Sequence, residues 1–214
     1  MKRKFLMATA AFSSSHDDQK INPRFGVLAI FILAVAVLRI SNAATHNPLS
    51  NFTPIGAMGL FGGAYFSSKW KGILFPLLTL LVSDLLINLF LLNGKYGILY
   101  SGWYWVYGVF ALIGLAGNRI IQPVTIKNVL IAGLVASLGH WLLLDFIVWA
   151  GGGTDIRTGL PLSRNWMGLQ QCYLQGLPFF KNFLAGTLVY SALLFGTFEW
   201  MKSKIPALVY NKTV

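Results

Sequence analysis

The chain has 214 residues, of which 56% are hydrophobic and only 11% charged; a soluble domain usually carries about 25% charged residues. That deficit excludes an ordinary water-soluble domain. The formal net charge of +11 does not mark a nucleic-acid binder, because the 17 Lys and Arg flank apolar runs and form no basic stripe.

The first stretch, Met1-Lys2-Arg3-Lys4 followed by apolar Phe5 to Phe12, resembles a signal peptide in outline. Its apolar part is short and polar Ser13 to Lys20 follows, so residues 1–24 are read as a cytoplasmic tail. Six apolar segments come next. The first is 25–40, opened by the cap and first-turn pair Asn22-Pro23. The others are 52–68, 72–92, 97–117, 129–150 and 183–201, and 202–214 forms a second tail. About 20 helical residues cross a ~30 Å hydrocarbon layer, which the last four segments reach and the first two do not. The runs lack the alternation of barrel strands. The expected fold is therefore all-α, a polytopic transmembrane bundle of about six helices.

Basic residues orient the bundle. With the N-terminus inside, 12 Lys and Arg fall on the inner face and 5 (Arg39, Lys95, Arg157, Arg164 and Lys181) on the outer. Both termini are therefore expected in the cytoplasm. Gly56, Gly59 and Gly63 line one side of the second segment, and Ala132 and Ala136 repeat the spacing in the fifth. Such small residues let helices approach closely in lipid, so a tight bundle is expected.

Of six carboxylates, Asp84, Asp145 and Glu199 fall inside the expected spans. A carboxylate at the helix centre costs roughly 2.5–3.5 kcal/mol on insertion scales, so each must face the interior, find a partner or sit near an end. Glu199 is read as interfacial beside Lys202. Asp84 lies mid-helix with Asn88 on its face. Asp145 lies in the outer third of the fifth helix, one turn from Trp149, and an Arg39–Asp145 ion pair is its structural alternative. His46 and Asn51 lie at the outer end of the second segment, and Trp103, Tyr104 and Trp105 at that of the fourth. Polar and aromatic groups thus gather in the outer half, as an outward-opening pocket requires; an aromatic belt with structural glue is the competing reading. The candidate substrate-binding set is Asn51, Asp84, Trp103, Tyr104, Asp145 and Trp149. Lone His140 is read as a hydrogen-bonded packing residue.

No Walker-type loop is present, and no HExxH or clustered Cys/His pattern indicates a metal. Single Cys172 excludes an internal disulfide framework and is read as a buried thiol. Ser101 lacks the glycine-rich surroundings of an intramembrane serine protease. The chain is read as a non-enzyme without a cofactor.

Two blocks carry a family resemblance. They are Asn51-Phe52-Thr53-Pro54-Ile55-Gly56-Ala57 through Phe61-Gly62-Gly63-Ala64-Tyr65-Phe66, and Gly168-Leu169 to Cys172-Tyr173 with Pro178-Phe179-Phe180-Lys181-Asn182 and Ala192 to Gly196. Leu80 to Asp84, and Asp145-Phe146 before Trp149, also fit. Over about residues 25–200 the chain resembles an uncharacterised family of bacterial integral membrane proteins. Its layout is similar to that of the S components of energy-coupling factor (ECF) vitamin transporters. That resemblance implies an inner-membrane binding protein with a site near the outer surface, docking on a transmembrane T protein and two ATPase subunits. A structural or assembly protein with no small-molecule site is the alternative.

Overall fold

A computed structural model describes residues 23–44, 51–95 and 97–209. His46, the N-terminal stretch, Asn22 and the C-terminal tail beyond 209 lie outside them. The fold is all-α: six helices, with no strand among the described residues. They are α1 (Pro23–Ala44), α2 (Ile55–Tyr65), α3 (Lys69–Leu86), α4 (Trp103–Ile120), α5 (Ile126–Ala150) and α6 (Trp166–Lys204). A wider π turn, Ile87–Leu91, prolongs α3, and a short 3₁₀ turn, Pro206–Leu208, follows α6.

The surface is inverted relative to a soluble protein. On α3, Leu74, Leu78 and Val82 recur every fourth residue and are exposed. The buried face of the same helix carries Thr79, Ser83 and Asp84, with Asn88 in the π turn. Ile30, Leu33 and Val37 of α1 and Val189 and Leu193 of α6 are likewise outward. Water would penalise such a surface, whereas lipid tails are as apolar as leucine and reward it. Four helices are long and apolar enough to cross a membrane: Pro23–Ile40 within α1, Lys69–Leu91, Ile126–Ala150 and Trp166–Lys204.

The second expected span holds a shorter helix than the apolar run 52–68 suggests. Pro54 precedes α2 and Phe66 leaves it in an extended conformation, so it has 11 residues and a length of about 16 Å. Every residue but Ala64 is buried, because the other five helices all pack on α2. An apolar helix without a polar face belongs in such an interior. Glycines of α2 and of the facing α4 set the spacing. A Cβ on Gly63 would run into the Gly114 carbonyl of α4, one on Gly117 would come within 2.5 Å of the Leu60 carbonyl oxygen, and one on Gly62 within 2.6 Å of the Gly72 carbonyl oxygen of α3. In lipid, burying leucine brings no transfer gain between helices, so this close packing is what holds α2 to its neighbours.

The α5–α6 pair is antiparallel. Gly133 meets Leu188, His140 stacks on Phe183 at 4.1 Å, Trp141 stacks on Phe180 at 5.0 Å, and Gly176 faces Asp145. Ala132 and Ala136 are buried in α5. The stretch 151–182, read from sequence as an outer loop, is loop only as far as Asn165. The Asn165 side chain accepts the Gly168 N–H and starts α6 seventeen residues earlier than the apolar run suggests. With 39 residues α6 is about 58 Å long, nearly twice the hydrocarbon thickness. Lys181 and Lys202 lie about 31 Å apart along it, a close match to that layer.

At the end where α1 begins, Phe31, Phe61, Tyr65, Phe195 and Phe198 form a ring cluster. Arg24 ties it shut by donating to the Tyr65 carbonyl and the Leu208 carbonyl, each at 2.8 Å. Glu199 accepts the Tyr65 hydroxyl at 2.5 Å and pairs with Lys202 at 2.9 Å, one turn on.

Candidate functional site

The six residues singled out by sequence fall in separate places. Asp84 lies among α1, α3 and α4. Its carboxylate is 6% exposed; it pairs with the Arg39 guanidinium through Oδ1 and accepts the Tyr107 hydroxyl on Oδ2 at 2.9 Å. Arg39 also donates to the Ser83 hydroxyl at 2.7 Å. Asp84 is thus satisfied by partners from two other helices, α1 and α4, and the Arg39–Asp145 pair considered from sequence does not form. A linear reading could not choose between the two acids, because Arg39 ends a helix that packs on α3. Asn88 does share the buried side. The π turn swings its amide onto the loop, where it donates to the Gly97 and Ile98 carbonyls.

Trp103 and Tyr104 sit in the first turn of α4; Trp103 is partly exposed, and Tyr104 and Trp105 are about half exposed. Trp103 reaches the Asp84 cluster only at second hand, edge-on to Tyr107 at 5.2 Å. Tyr104 points away from the bundle, as a belt residue would. Asn51 is exposed in the turn before α2 at φ 69°, a left-handed conformation that asparagine tolerates.

Asp145 lies in the α5–α6 interface. Its Oδ2 is enclosed against Gly176 without a hydrogen-bond partner, and the Trp141 indole N–H, one turn earlier, approaches without reaching hydrogen-bond geometry. The Cys172 thiol is buried and donates to the Asp145 backbone carbonyl at 3.2 Å. His140 stacks on Phe183 and meets the tilted Phe110 ring at 5.5 Å, a packing role.

Trp149 leads to the part of the structure that the sequence left blank. Its indole donates to the Ser163 carbonyl at 2.9 Å, and Arg164 donates to the Ala150 carbonyl at 2.6 Å. Residues 151–165 are therefore a fastened cap. Gly153 and Leu162 bond across it at 2.8 Å, Thr154 pairs with Pro161, and the Gln175 side chain grips it from α6, donating to the Thr154 carbonyl and accepting the Ile156 N–H. Asp155 is the cap's internal staple. It accepts the Arg157 backbone N–H at 2.9 Å and the Arg157 guanidinium at 3.1 and 2.8 Å. These bonds hold the Asp155 carboxyl below the usual carboxylate range and raise the Arg157 guanidinium further.

Between the cap and the first turns of α6 lies a cavity of about 370 Å³. Asp155, Arg157, Ser163 and Asn165 border it from the cap, and Met167, Gln170, Gln171 and Leu174 from α6. Its size falls within the range of small-molecule sites. Of the sequence candidates only Trp149 touches this construction, and it does so by bracing the cap. The signals that could have located the cavity are Asn165 as a helix cap and the turn-forming run Asp155-Ile156-Arg157-Thr158-Gly159. Among the described residues no group of three or more His, Cys, Asp or Glu could hold a metal ion.

No curated protein and no solved structure matches the chain. A family model does match, over residues 19–208, nearly the whole of the described bundle. The chain thus belongs to DUF6580, a family of unknown function.

Proposed function

We propose that this chain is the membrane-embedded binding subunit of a small-molecule importer, and that it captures its solute in the cavity between the α5–α6 cap and the start of α6. The cavity is the observation that carries this reading. It is small, lined by both charged and apolar side chains, and bounded on one side by a loop fastened at both ends. Long ordered loops of this kind are more often functional than incidental. The layout similar to ECF S components supports the same role. So does the lack of any ATP-hydrolysing motif, which leaves the energy to a T protein and ATPase partners. The charge bias of the loops supports an inner-membrane placement with both termini in the cytoplasm and the cap outside.

One observation favours the alternative of a structural or assembly protein: Asp84, the most deeply placed carboxylate, is fully occupied by Arg39 and Tyr107. Mass spectrometry of small molecules released from the purified chain decides between the two, with co-purifying proteins identified in parallel. A released solute that is lost on Gln171→Ala supports the importer subunit. A chain that releases nothing and brings down neither a T protein nor an ATPase is the structural protein.

A further inference from the structure

Two charged side chains border the cavity, Arg157 and Asp155. The same end of the bundle also carries Lys95, Arg164 and Lys181 away from the cavity wall, and Asp155 is the one carboxylate among the bordering residues. That carboxylate is already committed. It takes the Arg157 Nε and one Nη2 hydrogen, which fixes the plane of the guanidinium while leaving its other three N–H donors directed away from Asp155. The Arg157 side chain is 64% exposed and borders the cavity. A guanidinium pinned on one edge is a preorganised fork for an oxyanion on the other. The first turn of α6 adds its dipole and contains no acidic residue. Beside the polar groups, Met167 and Leu174, two turns apart and both exposed, form an apolar wall. Gln170 and Gln171 supply amides between them.

We infer that the cavity takes a small organic carboxylate. The carboxylate lies on the free edge of Arg157, and a short hydrocarbon or aromatic body lies along Met167 and Leu174. The inference rests on the cavity being the solute site, and it adds the chemistry that the solute must have. The excess of positive charge at this end also steers anions toward the mouth.

The test uses the full-length chain in phosphatidylcholine nanodiscs. Calorimetry measures binding of benzoate, of benzamide as its uncharged counterpart, and of benzylamine as its cationic counterpart. Benzoate is expected to bind in preference to the other two. Arg157→Gln is expected to weaken it at least about tenfold, the scale of one charge-assisted contact. Arg157→Lys, which keeps the charge and loses the fork, should fall between them. Repeating the titration in phosphatidylglycerol nanodiscs separates a free solute from a lipid headgroup: unchanged benzoate binding supports the inference, and displacement by the anionic lipid overturns it. Equal binding of benzamide or benzylamine, indifference to Arg157→Gln, or no binding of benzoate also overturns it. The importer reading survives any of these if the purified chain releases a neutral or cationic molecule, and falls with the inference if it releases none.

Discussion

Separating Arg39 from Asp84 tests whether this buried charge pair belongs to the framework of the bundle. Arg39→Met leaves the Asp84 carboxylate, 6% exposed, with only the Tyr107 hydroxyl. Stranding a buried charge in this way costs about 3–5 kcal/mol. Asp84→Leu leaves Arg39, which is 21% exposed and close to the end of α1, able to reach toward the interface. That loss should be smaller, about 1.5–3 kcal/mol, the range for hydrogen bonds to a charged group. The double variant removes both charges and should lie within about 1 kcal/mol of the parent, since replacing a buried pair by apolar groups is often neutral. The coupling energy is then at least about 3.5 kcal/mol. Neutral interhelical hydrogen bonds in a membrane average about 0.6 kcal/mol, so the two mechanisms are distinguishable. Unfolding in mixed detergent micelles, followed by circular dichroism across the four-member cycle, supplies the values. Additive single-variant losses would refute the reasoning. A loss of solute binding in Asp84→Leu with stability unchanged would refute it too, by showing that Asp84 serves a ligand.

Gly63→Ala should cost about 3 kcal/mol or abolish folding, because the added methyl meets the unyielding Gly114 backbone; Gly108→Ala, with open space around it, should be neutral or stabilising by up to about 1 kcal/mol in the same assay. Residues 166–180 should lie in water beyond the bilayer. In a Cys172→Ala background, Leu174→Cys should react with a membrane-impermeant maleimide and Val189→Cys should not; equal reactivity contradicts the assignment of the segment between Lys181 and Lys202 to the hydrocarbon. The cap should be insensitive to pH across the physiological range. Asp155 has its folded-state carboxyl held below the ordinary value of about 4, so its stabilising contribution is fully present above that value and is lost only as pH falls through the lowered one. Hydrogen exchange at the Arg157 amide, corrected for its intrinsic rate, should show constant protection between about pH 5 and 8, and a loss beginning near pH 6 would contradict the staple.

Sequence alone was enough for the all-α class, the need for a buried partner at Asp84, the place of Glu199 beside Lys202, and the tight packing of Gly59 and Gly63. Each follows from a local quantity: how apolar a window is, what a charge costs in lipid, how close two backbones come without a Cβ. The partner of Asp84 did not follow. Arg39 stands 45 residues from Asp84 and 106 from Asp145, and only the packing of α1 on α3 selects the former. The shortness of α2 also needed the fold, since a helix surrounded by five others meets no lipid and is released from the length that a bilayer imposes.

The cavity was the least legible feature. Residues 151–165 have no apolar period, and their order comes from bonds such as Trp149 to Ser163 and Gln175 to Thr154, which link positions on different elements. Hydropathy therefore determined what lies in the membrane, because partition into lipid is a property of composition along a short window. Which side chains meet, and where a space is left between them, was decided by the tertiary structure, because those depend on the relative placement of helices that no single window contains.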